Sequence, residues 1–139
     1  MPLGYSYLSF ERLIFQKLSM HLLSQILIGL VALIHLYVVW LEMFAWVARG
    51  PKVFRSLPRE LFPATKTLAG NQGLYNGFLV AGLVWALFIT DPQWHRSVGS
   101  FFLGCVAVAG LYGAATAGGR ILLVQTLPAG LALAALWLA

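Results

Sequence analysis

The sequence predicts an all-α fold, an integral membrane four-helix bundle. Of the 139 residues, 60% are hydrophobic and 9% are charged, and the mean hydropathy is +0.85. Soluble domains carry about 25% charged residues, so this composition indicates a membrane protein. Apolar runs at residues 22–47, 73–90, 99–117 and 121–138 approach the roughly 20 residues that a helix needs to cross a bilayer.

The first run is the longest. The other three are short, so we expect either a locally thin bilayer or helices with little tilt. We assign residues 21–139 to one transmembrane domain. In residues 1–20, Tyr7, Phe10, Ile14 and Leu18 follow helical spacing between polar residues, which predicts an interfacial helix. The alternative is that Met20 is the true start and that residues 1–20 are an extension.

Residues 48–70 form the only sizeable predicted loop. The loop contains Pro51, Pro58 and Pro63, and because proline breaks helices, we expect no continuous helix here. The positive-inside rule predicts a cytoplasmic loop, and its charge suits anionic lipid head groups. No recognisable nucleic-acid-binding module occurs, so we expect the bilayer and not a nucleic acid as partner. The loop contains one acidic residue, Glu60, and five basic residues: Arg49, Lys52, Arg55, Arg59 and Lys66.

Glu42 is the only acidic residue inside a long apolar run, and His35 precedes it by seven positions. Seven residues are about two helical turns, so both side chains lie on one face. Ionisable groups at membrane depth are costly and typically face a bundle interior, a wet cavity or a ligand. Glu42 and His35 are therefore the predicted catalytic pair, although Glu42 could instead pair with Arg49 and His35 could be a core histidine.

Other polar residues fall in the same cytoplasmic half when the four predicted helices are aligned by depth. The outer half, by contrast, is almost wholly apolar apart from Ser24 and Gln25. This asymmetry predicts one polar cavity, whereas the alternative is that these groups join helices by hydrogen bonds of about 0.6 kcal/mol on average. The predicted ligand-binding residues are Gln72, Asn76, Tyr112, Thr116 and Gln125.

Small residues predict close helix packing. Gly73 and Gly77 form a G-x-x-x-G motif, and Ala109, Gly113 and Ala117 continue a ridge on the third helix. Such faces serve either packing within a bundle or a homodimer, and the sequence leaves both open. At the outer end, Trp94 and His95 predict an aromatic belt and a solvated histidine.

Metal and cofactor sites are not expected. Only His35 and Glu42 are strong ligands within the predicted membrane region, and Cys105 lies in the other half. One internal histidine supplies at most one axial haem ligand for each chain. No phosphate-binding glycine loop, nucleophile elbow or dinucleotide fingerprint occurs.

Several blocks of the sequence resemble a family of small bacterial membrane proteins with four spans, catalogued as a domain of unknown function. The resemblance covers about residues 20–139. It implies the fold and a multi-pass location in the bacterial cytoplasmic (inner) membrane, but no secure activity. It rests on residues 35–46, on Asn71-Gln72-Gly73-Leu74-Tyr75-Asn76-Gly77, on Gly110-Leu111-Tyr112-Gly113 with Thr116, and on Gln125 with Pro128.

Three functions remain open from the sequence. In the first, the cavity binds or converts a small amphipathic molecule, with Glu42 as general acid/base in isomerase-like chemistry and His35 as its partner. In the second, Glu42 and His35 exchange protons in a small transporter or exporter component, which would need at least a dimer. In the third, the protein is structural and its polar groups only hold helices together.

Overall fold

The computed structural model describes the backbone from Gly4 and the side chains from Phe10, in both cases through Ala139. These residues form an all-α bundle, as predicted. Its elements are α1 (Gly4–Phe44), α2 (Trp46–Val53), α3 (Leu61–Ala64), α4 (Lys66–Phe88), α5 (Pro92–Thr116), a π-helical turn (Leu122–Thr126) and α6 (Leu127–Leu138).

Four helices, α1, α4, α5 and α6, make the bundle in antiparallel succession. Helix α1 packs against α4 and α6, and α5 packs against the same two helices from the opposite side. Their apolar faces meet in a core of nine buried residues that all four helices supply. The core consists of Ile28, Val31, Ala32, Leu83, Leu103, Val106, Ala129, Ala132 and Leu136.

Two helices begin earlier than the hydropathy pattern predicts. Helix α4 starts at Lys66 and has 23 residues, and α5 starts at Pro92 and has 25. The side chain of Asp91 caps α5 by accepting a hydrogen bond from Trp94 N at 2.8 Å, and Pro92 follows in the first turn, where its missing N–H is not needed. The prediction of short second and third helices is therefore wrong. Their first turns are polar, so the hydropathy pattern does not include them in the helices.

The connection between α1 and α4 is folded, and not the helix-breaking loop that its prolines predict. Pro51 lies inside α2 and Pro63 inside α3. The indole Nε1 of Trp46 donates to Thr65 Oγ1 at 3.0 Å, and its ring lies 5.0 Å from that of the buried Phe62. These contacts hold the basic segment against the end of the bundle.

Helix α1 is unbroken from Gly4 to Phe44 and has 41 residues, about 60 Å at 1.5 Å per residue. It runs straight through Met20, and the side chains of residues 10–19 are exposed. The first described turns therefore continue α1, and the boundary at residue 20 stays a prediction.

By length and composition, two helices of the described chain are able to cross a membrane. They are residues Phe10–Phe44 of α1 and Pro92–Thr116, while Leu122–Leu138 is a shorter apolar helix.

Candidate functional site

Glu42, near the end of α1, is hydrogen-bonded to Asn76 on α4. The amide Nδ2 of Asn76 donates to Glu42 Oε2 at 2.9 Å. Both side chains are partly buried. The polar partner of this carboxylate is thus an amide on another helix, whereas Arg49 lies exposed on α2, beyond the break in α1 at Ala45.

Gly73 makes this contact between the helices possible. A Cβ at Gly73 would lie 2.5 Å from Met43 Cγ, 3.1 Å from Glu42 Cβ and 3.3 Å from the backbone nitrogen of Met43. Asn76 follows Gly73 by three residues, so the two lie on neighbouring parts of one α4 face. Gly77, the second glycine of the predicted motif, has no atom within 4 Å of such a Cβ. Only the first glycine therefore serves the packing of α1 against α4.

Asn76 makes a second hydrogen bond within its own helix. Its Nδ2 also donates to the backbone oxygen of Gln72 at 3.1 Å. The amide is thereby held between a carboxylate oxygen and a carbonyl oxygen. This second bond orients the Asn76 side chain toward α1.

His35 is buried as predicted, with 1% of its surface exposed. Its Nδ1 lies 2.8 Å from the backbone oxygen of Val31, one turn earlier, so Nδ1 carries the proton and donates. This bond draws the ring toward the N-terminus of α1, away from Glu42. The two residues are also offset by seven residues, about 10 Å along the axis, so they do not form a directly hydrogen-bonded acid/base pair.

The other predicted ligand-binding residues do not join Glu42 and Asn76 in an enclosed cavity. The side chain of Gln72 is exposed, as is that of Tyr112, at 72%. Thr116 donates its hydroxyl to the backbone oxygen of Tyr112 on its own helix at 2.9 Å. Gln125 lies partly buried in the π-helical turn. Their part in ligand binding stays a prediction.

Two open depressions of the described surface lie elsewhere. One of about 400 Å³ is apolar and lies along the π-helical turn and α6. The other, of about 430 Å³, lies in the basic connection and is lined by Lys52, Arg55 and Arg59 together with Pro51 and Leu57. The site at Glu42 is a polar contact at the interface between α1 and α4.

The end of the bundle opposite the basic segment holds a polar cluster that the hydropathy pattern does not predict. His95 is only 5% exposed, and its Nδ1 donates to the backbone oxygen of Ala86 at 2.7 Å. Its Nε2 is buried without a hydrogen-bond partner in the described chain. The His21 ring lies 5.9 Å away, and the buried Ser24 donates to the His21 oxygen at 2.7 Å.

The prediction of a solvated His95 is therefore wrong. The missed signal is periodicity: His95 belongs to the stripe of buried α5 residues that continues through Val98, Gly99, Leu103, Val106 and Gly110. A helix started at Pro92 would place His95 on this inward face. Among the described residues, no group of three or more His, Cys, Asp or Glu side chains could hold a metal ion.

Comparison with known proteins identifies the family. The family described as "Protein of unknown function (DUF1304)" matches residues 29–137. The chain belongs to this family. It is also similar to the uncharacterized protein YpaA of Lactococcus lactis subsp. lactis (strain IL1403), with 36% identity over 119 residues that cover 84% of this chain and 96% of that protein. No solved structure matches.

The DUF1304 match confirms the family that the sequence blocks resemble. It includes Glu42, Asn76, Gly73 and His35, whereas His21 and Ser24 precede it. The contact between α1 and α4 thus lies inside the part of the chain that defines the family.

Proposed function

We propose that this DUF1304 protein is an integral membrane protein that binds a small amphipathic molecule at Glu42 and Asn76. The observation that carries the proposal is the hydrogen bond between these side chains, which is only partly buried at the edge of an otherwise apolar bundle.

A membrane location is supported by the surface of the bundle. Large apolar side chains such as Phe44, Phe88 and Phe101 are exposed on the bundle, and extensive exposed apolar surface marks contact with lipid or another protein. Helices α1 and α5 are long and apolar enough to span a bilayer. We place four spans in the bacterial inner membrane, with residues 48–70 on the cytoplasmic side because of their basic charge.

The chemistry of the site supports a binding role. A carboxylate within an apolar bundle costs several kcal/mol unless it is protonated or well paired. One hydrogen bond from a neutral amide leaves the second oxygen, Oε1, without a partner in the described chain. A ligand with a polar head and an apolar body would complete the pairing while its body stays in lipid.

Binding is favoured over acid/base conversion because Glu42 and His35 point to different partners. A two-residue proton relay needs both groups within about 3 Å of one another or of the reacting atoms. Here His35 is hydrogen-bonded to the backbone oxygen of Val31, and Glu42 is hydrogen-bonded to the side chain of Asn76. We therefore assign Glu42 and Asn76 to the ligand and give His35 a role in the core.

The test is native mass spectrometry with extraction of bound lipids and metabolites, on protein purified in detergent. We expect wild type and Glu60→Gln, a matched loss of an exposed carboxylate in the basic segment, to retain the same small molecule. We expect Glu42→Gln to lose it while its helical circular dichroism is unchanged. Equal retention by all three proteins, or no bound molecule in any, would overturn the proposal.

A further inference from the structure

We infer that the site at Glu42 and Asn76 selects a head group that donates hydrogen bonds, and that its ligand is an amphipathic primary amine. This inference rests on the proposed function and deepens it. It comes from the hydrogen-bonding capacity that the two side chains have left after they bind each other.

Asn76 has no donor left for a ligand. A side-chain amide has two N–H groups, and the two hydrogen bonds of Nδ2 go to Glu42 Oε2 at 2.9 Å and to the Gln72 oxygen at 3.1 Å. Both partners are acceptors, so the reversed amide would face them with its own oxygen. The orientation of Asn76, with Nδ2 inward and Oδ1 free, follows from its partners.

The groups that remain are acceptors. Glu42 offers Oε1, and Asn76 offers Oδ1, neither of which receives a hydrogen bond from the described residues. A carbonyl or carboxylate head group would place oxygen against oxygen here. An ammonium group instead supplies up to three donors and a positive charge, and such charge-assisted bonds are about twice as strong as neutral ones.

The ligand must also reach the site from lipid. Tyr75 and Phe78, on α4 beside Asn76, are exposed aromatic residues, so an apolar body can lie along the outside of the bundle. Two sources supply a primary amine with an apolar body: the head group of phosphatidylethanolamine and a free long-chain amine. Both place the same ammonium chemistry at Glu42.

The experiment uses three probes with the same chain and different heads, dodecylamine, dodecanol and dodecanoic acid. The full-length protein is placed in nanodiscs of phosphatidylglycerol, and probe retention is measured by native mass spectrometry. We expect wild type and Glu60→Gln to retain dodecylamine about tenfold better than dodecanoic acid, the scale of one charge-assisted hydrogen bond.

Glu42→Gln should remove this preference. Its amide oxygen can accept from Asn76, and its N–H group then faces the ligand where Glu42 offers Oε1, so a donor replaces an acceptor. Asn76→Ala keeps both Glu42 oxygens and should retain the preference for the amine with weaker binding overall. If Glu42→Gln fails to fold, loss of the preference for the amine in Asn76→Ala would still contradict the assignment to Glu42 Oε1.

The outcomes separate this inference from the proposed function. Retention that depends on Glu42 but is equal for the three probes, or greatest for dodecanoic acid, would overturn the preference for a donor and leave the binding role intact. Retention that never depends on Glu42 would overturn both. With the preference established, displacement of dodecylamine by phosphatidylethanolamine assigns the lipid as ligand, and failure to displace it assigns a free amine.

Discussion

Gly73 lies so close to Glu42 that a Cβ on the glycine would be 3.1 Å from the Cβ of the glutamate. The absence of a side chain at this position lets α4 approach α1, and Asn76 reaches Glu42 one turn later. Close packing and the polar contact are therefore parts of one arrangement.

Gly73→Ala should destabilise the bundle by about 1–3 kcal/mol, the usual cost of an added methyl group in a packed interface. The methyl group would also press on the backbone nitrogen of Met43 at 3.3 Å, which cannot move away freely. Thermal unfolding in detergent, followed by circular dichroism, measures the effect. Gly77→Ala is the control, because its Cβ meets open space; equal midpoints for the two variants would contradict the assigned contact.

The hydrogen bond between Glu42 and Asn76 should appear as energetic coupling. In a double-mutant cycle of Glu42→Ala and Asn76→Ala, we expect a coupling free energy of about 0.5–2 kcal/mol, measured by unfolding in mixed micelles. The control cycle combines Glu42→Ala with Asn71→Ala, because Asn71 is an exposed residue on the same helix as Asn76. The two losses of unfolding free energy should be additive there. Additivity in both cycles would show that the 2.9 Å contact contributes nothing to stability.

His35→Ala should weaken the fold without changing ligand retention below the unfolding temperature. The buried ring leaves a cavity when it is removed, and truncations of large buried side chains cost roughly 2–5 kcal/mol. Leu36→Ala, at the exposed neighbour of His35, should change the midpoint little. A stable His35→Ala protein that no longer retains its small molecule would return His35 to the functional site, as the sequence alone predicts.

His95→Ala should lower stability by about 2 kcal/mol or more, because a buried side chain is lost. His95→Leu should cost much less: it fills most of the space and removes the unpartnered Nε2. The Ala86 oxygen also keeps its hydrogen bond from Ile89 N at 3.3 Å. The control is Trp94→Ala, on the exposed side of the same helix. If His95→Ala, His95→Leu and Trp94→Ala all have similarly small effects on stability, His95 is solvated.

The topology is testable with single cysteines. In a Cys105→Ala background, Ser56→Cys and Gln93→Cys place thiols at exposed positions at opposite ends of the bundle. The positive-inside rule predicts that an impermeant maleimide labels the Gln93→Cys protein from the periplasmic side and the Ser56→Cys protein only in inverted vesicles. The reverse pattern would place the basic segment outside the cytoplasm.

Several features of the site follow from the sequence because they depend on local patterns. Glu42 is the lone acidic residue in an apolar run, and a charge there is costly to bury. The sequence therefore indicates the position of the site without any knowledge of its contacts. Depth alignment places Asn76 at the level of Glu42, and the two side chains do meet. Tyr112 and Thr116 share that level, yet they are exposed on α5, because depth along an axis does not specify rotation about it.

Composition and helical spacing are read within single segments, so the sequence predicts the all-α class, four apolar helices, the basic connection and Glu42 as the unusual charge. The folded structure shows in addition that Asn76 is the partner of Glu42, that His35 hydrogen-bonds to its own helix and that His95 faces inward. The rotation of each helix depends on how its side chains interlock with those of its neighbours. The hydropathy pattern of a single segment therefore does not specify how its helix is rotated against the neighbouring helices.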